Sequence, residues 1–295
     1  MKQALFHGMT GAALGIVNKE MVTRAMREIA NQIGSFDVQA KANEHKAEDL
    51  VTSADYAAQQ IYVKLIEECT PNAGIVAEED GLQRDPKHGE SIVYTIDPVD
   101  GTKALVRKQS DGIGTLFGVV DSLNREIIAS YVGDIMTQEI YYYRPGSDKV
   151  HRLNLRFPEK TTTLEYSNRP KKRLLTLDDI RLFPSRAQHI TNKGSYFDSM
   201  GISNGSIGTN MARLRKGEVD AVLLKAGVAS PRDRVPCAGI SEKLGYILIQ
   251  VIDNQIANIL DAGNSRSLET IKVPDTLIIH KSHKEEILQT IKNIP

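Results

Sequence analysis

Between residues 73 and 145, five short runs follow one another with turn residues between them: AGIVAEE, SIVYTID, IGTLFGVVD, EIIASYVGD and EIYYYRP. They are rich in β-branched and aromatic residues, and runs of that length and content read as strands. Helical patterns stand on both sides of them, which limits the chain to a layered α/β or α+β architecture. Upstream, Val17, Met21, Val22, Ala25, Met26, Ile29 and Ile33 recur at helical spacing and stop at Gly34. The polar stretch QAKANEHKAED reads as a loop or a strand pair. A second helix is expected within VTSADYAAQQIYVKLIEEC, with Thr52 or Ser53 as N-cap and Pro71 closing it. Downstream, EVDAVLL and YILIQVID read as strands, with helices after Gly208 and after Pro236. The basic stretch NRPKKR marks a seam within 145–175, dividing the chain into halves 1–150 and 151–295. No repeat of fixed period is visible.

Charge excludes one class of task. Lys plus Arg equals Asp plus Glu, 37 against 37, so no global field draws in nucleic acid or an anionic membrane. The basic clusters Ala212–Lys216 and Arg169–Arg173 lack interleaved aromatics and read as solvated faces or linker. The tyrosines of Tyr141–Tyr143 read as a strand with alternate rings toward the core. Cys69 and Cys237 have no metal-binding spacing around them and read as buried thiols of a reducing compartment. No apolar run reaches the roughly 18 to 20 residues of a membrane span. His7, Gly8 and Thr10 interrupt the N-terminal apolar stretch, so a cytoplasmic location is expected.

The chemistry lies in acids placed where apolar runs stop. Glu78 and Glu79 follow GIVA, Asp97 and Asp100 follow SIVYTI, Asp55 opens an early helix, and Asp233 precedes PCAGISEKLG. Taken singly, each has an ordinary explanation: a solvated pair, a turn-starting Asp-Pro, a tight Asp-Gly turn, an acid near a helix N-terminus. Together they suit a hard divalent cation, which takes oxygen ligands. Two aspartates separated by a proline-bent pair can aim at one point, and the bend can turn the Val99 carbonyl toward it. A helix beginning at Gly101–Thr102 would present amides to an anion, and the Thr102 hydroxyl could bond a metal-bound water. Cations on one side and amides on the other describe a phosphate held for attack by water.

The motifs DLVTSAD, GIVAEEDG and IDPVDGT, in this order, resemble those of the inositol monophosphatase family, within the fructose-bisphosphatase-like group. The similarity continues through GTLFGVVDSLNREIIASYVGDIMTQEIYYY and GSIGTNMARLRKGEVDAVLL. It implies an α+β fold, a layered α/β/α/β/α sandwich, often a homodimer. It implies a lithium-sensitive phosphatase that uses two to three Mg2+ ions and a small phosphorylated substrate. Carried over, Glu78, Asp97, Asp100, Asp233 and the Val99 carbonyl would hold metal. Thr102 and Asp55 would orient and deprotonate the attacking water, and Glu79 would help place a metal-bound water. Gly101, Thr102, Gly208, Thr209 and Lys225 would contact substrate.

The chain departs from the family where a Trp-Asp-x-Ala-Ala-Gly pattern is usual. It has Arg232-Asp233-Arg234-Val235-Pro236-Cys237-Ala238-Gly239 and no tryptophan. Aligned without a gap the ligand position falls on Val235; Asp233 takes it only with two residues inserted. Lys225 or Ala226 stands where a glutamate that bonds substrate hydroxyls is usual, which favours an anionic leaving group such as a second phosphate. The candidates are inositol or sugar monophosphates, sugar bisphosphates and 3′(2′),5′-bisphosphorylated nucleotides. A catalytically weak interaction protein on the same fold is the alternative of another class. Lys41 and Lys46 are left without a role.

Overall fold

The computed structural model describes residues 5–6, 9–40, 50–168, 172–183, 196–252, 255–261 and 267–292. The five strand-like runs fall into one eight-stranded sheet. Its spatial order is Thr162–Leu164, Val150–Asn154, Glu139–Tyr143, Glu126–Asp134, Gly114–Asp121, Ile92–Asp100, Gly74–Ala77, Gln83–Arg84. Short turns between Gly114 and Tyr143 leave no room for crossover helices, so those strands pair antiparallel. Gly74–Ala77 runs parallel to Ile92–Asp100, and all nine residues of the latter are buried. A second, mixed sheet has the order Ser199–Ile202, Arg173–Thr176, Ala221–Leu224, Asp275–His280, Tyr246–Ile252, Gln255–Asp261.

Alternation along the strands sorts the core into layers. Phe117, Val119, Tyr94 and Tyr131 meet Met26, Ile29, Tyr62 and Ile66 of the helices Gly11–Gln32 and Ser53–Cys69. Leu116, Val120, Val132, Tyr141 and Tyr143 face the other way, onto helices Ile207–Arg215 and Pro231–Lys243 and one face of the second sheet. The opposite face of that sheet packs on Ile287 and Ile291 of Lys284–Lys292. The result is a helix, sheet, helix, sheet, helix sandwich. A Cβ on Gly118 would lie 2.6 Å from Val235 Cγ1, so the glycine lets the Pro231–Lys243 helix settle on the sheet. Among the described residues no helix is long and apolar enough to cross a membrane.

Several details differ from the sequence reading. The first helix starts at Gly11, six residues before Val17, because Thr10 caps it by accepting from the Ala13 amide. The helix expected after Pro236 starts at Pro231: Ser230 caps it, and Pro231 at N1 has no amide to waste. Pro236 lies inside, at the cost of one backbone bond. Arg215 is no solvated cation. It is 2% exposed, and its Nη2 donates to the Cys237 carbonyl at 2.6 Å. Cys69, at the end of its helix, is exposed; Cys237 is buried. The strands Val38–Ala40 and Leu50–Thr52 pair with each other at the two ends of the stretch QAKANEHKAED, whose residues 41–49 lie outside the described residues. Lys41 and Lys46 lie outside the described residues, as do 169–171 of the basic stretch.

Candidate active site

The central strand stops being regular at the acids. Asp97 pairs with Leu116 and Asp100 with Gly114, so three steps on one strand meet two on the other. Pro98 has no amide to give the ladder, and the bulge it permits turns Asp97, the Val99 carbonyl and Asp100 toward one cavity. Glu78 follows the neighbouring strand Gly74–Ala77. Asp233 arrives from the second half of the chain at the third position of its helix. There the Ser230 hydroxyl accepts the Asp233 amide at 3.2 Å and donates to Asp233 Oδ2 at 2.8 Å. Val235 is fully buried in the core, so the acid that reaches the site is Asp233.

A carboxylate oxygen from each of Glu78, Asp97 and Asp233 lies within 4.8 Å of the others. Asp97 is 4% exposed, and its Oδ1 is buried with no hydrogen-bond partner. Burial first, then the nearby Glu78, raises the Asp97 and Asp233 carboxyls above their ordinary range. An acid in such surroundings either keeps its proton or needs a cation. The donor set, all carboxylate oxygen and one carbonyl nearby, fits magnesium or another hard divalent ion.

Asp100 sits differently. Its Oδ2 accepts from the Gly208 amide at 2.7 Å and the Ser206 hydroxyl at 2.5 Å, and its Oδ1 from the Ile207 amide at 3.2 Å. It thus closes the N-terminus of the Ile207–Arg215 helix. Those bonds favour the charged form, yet burial and Asp233 outweigh them and hold its carboxyl up at about 7.

Asp55 and Thr102 meet. The Thr102 hydroxyl lies 3.0 Å from Asp55 Oδ1 and 3.0 Å from the Val99 carbonyl. The Thr52 amide and hydroxyl hold Asp55 Oδ2 at 2.8 and 2.5 Å. Gly101 takes a left-handed conformation, φ +94°, as N-cap of the short helix Thr102–Val106. Glu79 is buried: its backbone amide and carbonyl are clamped by the Gln59 side chain at 2.8 and 3.0 Å, and it does not line the cavity.

The cavity, about 710 Å³, is lined by Glu78, Asp97, Val99, Asp100, Gly101, Thr102 and Asp233, with Lys103, Arg107 and Arg232 among its cations. Gly208 and Thr209 do not line it. Gly208 gives its amide to Asp100, and the Thr209 hydroxyl donates to the Ser206 carbonyl at 3.2 Å. Gly205, just upstream, does line it. Lys225 is exposed, at the wall of a neighbouring chamber. Reading from residues alone missed Lys103, Arg107, Ser206 and Ser230. The last was legible: Ser230-Pro231-Arg232-Asp233 is a capping-box pattern with proline at N1.

The model of the inositol monophosphatase family matches residues 13–294. An inositol-1-monophosphatase of Bacillus subtilis is 28% identical over 145 residues, 49% of this chain and 49% of that protein. The Nus factor SuhB of Pseudomonas aeruginosa is 38% identical over 78 residues, 26% of this chain and 28% of that protein. These alignments therefore span half or less of the curated relatives. An IMPase of Thermotoga maritima superposes with a TM-score of 0.67 at 19% identity, covering 92% of this chain and 94% of that one. The extragenic suppressor protein suhB of Bartonella henselae gives 0.67 at 13% identity, covering 95% and 99%.

Proposed function

This chain belongs to the inositol monophosphatase family, and we propose that it is a magnesium-dependent phosphomonoesterase acting on a small phosphate ester. The observation that carries the reading is the orphaned Asp97 Oδ1 within the Glu78, Asp97, Asp233 cluster, beside the joined Asp55 and Thr102. Glu78, Asp97, Asp233 and the Val99 carbonyl would hold two to three ions, with Asp100 at their edge; bound there, the metal supplies Lewis-acid activation of water and phosphate. Asp55 accepts the Thr102 proton, which leaves the Thr102 oxygen free to accept one from an attacking water. Asp55 is held by Thr52, so that direction of transfer is built into the helix start. The first amides of the Thr102–Val106 turn and the cations Lys103, Arg107 and Arg232 would hold the phosphate oxygens. Glu79, itself off the cavity wall, would act through the placement of Glu78. Lys225 would act as a distant charge on the substrate.

A homodimer in the cytoplasm is part of this reading. The two free cysteines fit a reducing compartment. A second reading, a partner-binding protein on the same fold, is favoured by the local likeness to a relative named as a Nus factor. The test is phosphate release, with magnesium and with chelator, from inositol 1-phosphate, a sugar monophosphate, a sugar bisphosphate and a 3′,5′-bisphosphorylated nucleoside. Magnesium-dependent release from at least one, lost in Asp97→Asn, is expected. No release from any of them, with a stoichiometric macromolecule recovered in a pull-down, would favour the second reading.

A further inference from the structure

A second chamber, about 410 Å³, adjoins the acidic cavity. The two share Asp100, Leu177, Asp178, Gly205, Val228 and Asp233, so one opens into the other at the carboxylates. Leu224, Leu248 and Ile278 of the second sheet form one wall; Met211 and Ala238, on the helices beneath, form the other. Val228, 63% exposed, stands at the shared rim.

Three of the polar side chains along these walls are already engaged, and Lys225 is exposed. The Ser241 hydroxyl donates to the Cys237 carbonyl at 2.8 Å, and the Thr276 hydroxyl to the Pro274 carbonyl at 2.8 Å. Arg234 Nη2 donates to the Ser267 and Glu269 carbonyls at 2.5 and 2.9 Å. Burial pushes the Cys237 thiol up to about 12, which makes it a neutral wall and no nucleophile. A polyol between Leu224, Leu248, Ile278, Met211 and Ala238 would face its hydroxyls onto apolar side chains, whereas an apolar group gives up nothing there. An apolar cavity of about 150 Å³ already suffices for benzene, so this one has room for a one- or two-ring group.

We propose that the second chamber binds the apolar part of the substrate: an aryl or branched alkyl alcohol, esterified to the phosphate that lies at the acid cluster. The proposal rests on the phosphatase reading for its chemistry, though not for binding. In that chemistry water adds its hydroxyl to phosphorus and its proton to the departing alkoxide, giving the free alcohol and inorganic phosphate.

Two measurements decide it. The first compares kcat/KM for 1-naphthyl phosphate and glycerol 2-phosphate in magnesium, in the wild type and in Ala238→Leu, which fills the chamber. Leu248→Phe fills it from the sheet side if Ala238→Leu fails to melt cooperatively. The wild type is expected to prefer the naphthyl ester. Filling should cut turnover of that ester at least about tenfold, the factor carried by a buried ring, and change the glycerol ester less than about twofold. Equal effects on both esters would overturn the proposal. The second measurement titrates 1-naphthol alone, in chelator, by its own fluorescence. Saturable binding, weakened at least about tenfold by the filling variants, is expected; no binding, or equal binding to the filled variants, would overturn the proposal. If neither ester is hydrolysed but naphthol binds as expected, the phosphatase reading falls and the chamber stands.

Discussion

Asp55 Oδ1 accepts a hydrogen bond from the Thr102 hydroxyl at 3.0 Å, across 47 residues of sequence. The same hydroxyl lies 3.0 Å from the Val99 carbonyl, and it has one proton for two acceptors. In the proposed mechanism that proton goes to Asp55. Thr102→Val should therefore lower kcat by about 10²- to 10⁴-fold, with magnesium affinity near that of the wild type. Thr102→Ser should recover most of the loss. Phosphate release and calorimetry check this pair, and a wild-type kcat in the valine variant would remove the role.

Asp100 has two tasks, charge at the site and acceptor for the Ile207–Arg215 helix. Asn keeps an acceptor and drops the charge, so Asp100→Asn should fold and lose magnesium-dependent turnover. Ser206→Ala keeps the charge. It removes a helix cap, since Ser206 Oγ also accepts the Thr209 amide at 2.9 Å. The loss should be about 1 kcal/mol of stability, with most of the activity retained. Thermal melts beside phosphate release separate the two tasks.

Burial raises Asp97 and Asp233, and holds Asp100 up at about 7. A group whose folded pKa is raised stabilises fully below its unfolded value and loses that contribution as pH rises through the folded one. In chelator the melting temperature should fall by about 4 °C or more between pH 5 and pH 8. Saturating magnesium should flatten the slope, and Asp100→Asn should reduce it. A chelator melting temperature flat across that range would contradict the assigned burial of charge.

A Cβ at Gly101 would lie 2.2 Å from the Gly112 carbonyl oxygen and 2.8 Å from the Ser206 nitrogen, at φ +94°. Gly101→Ala should cost at least about 2 kcal/mol and displace the turn that carries Thr102. Chemical denaturation checks the stability, and a wild-type midpoint would contradict the packing.

Much of this was readable from the residues because it is local. The strand runs around Asp97 are rich in β-branched and aromatic residues, the two site acids Asp55 and Asp233 each follow a capping residue by three positions, and Pro98 announces a break in the ladder. What escaped depends on distant parts meeting. Gly101, expected to contact substrate, lines the cavity and is also required by the close approach of the Gly112 carbonyl. Arg215 looked solvated, yet it satisfies a carbonyl 22 residues away on the next helix. Pro236 looked like a helix start because proline stops helices, and the stronger start at Ser230-Pro231 overrode it. The apolar chamber has no local signature, since its walls come from two helices and a sheet assembled from the last half of the chain.

Glu78, Asp97 and Asp233 stand close enough to share one cation. Calorimetric titration of magnesium into the wild type and into Asp97→Asn decides whether they do. Saturable binding in the wild type that is lost in a folded Asp97→Asn is the predicted result. No binding in the wild type, or unchanged binding after the substitution, would contradict it.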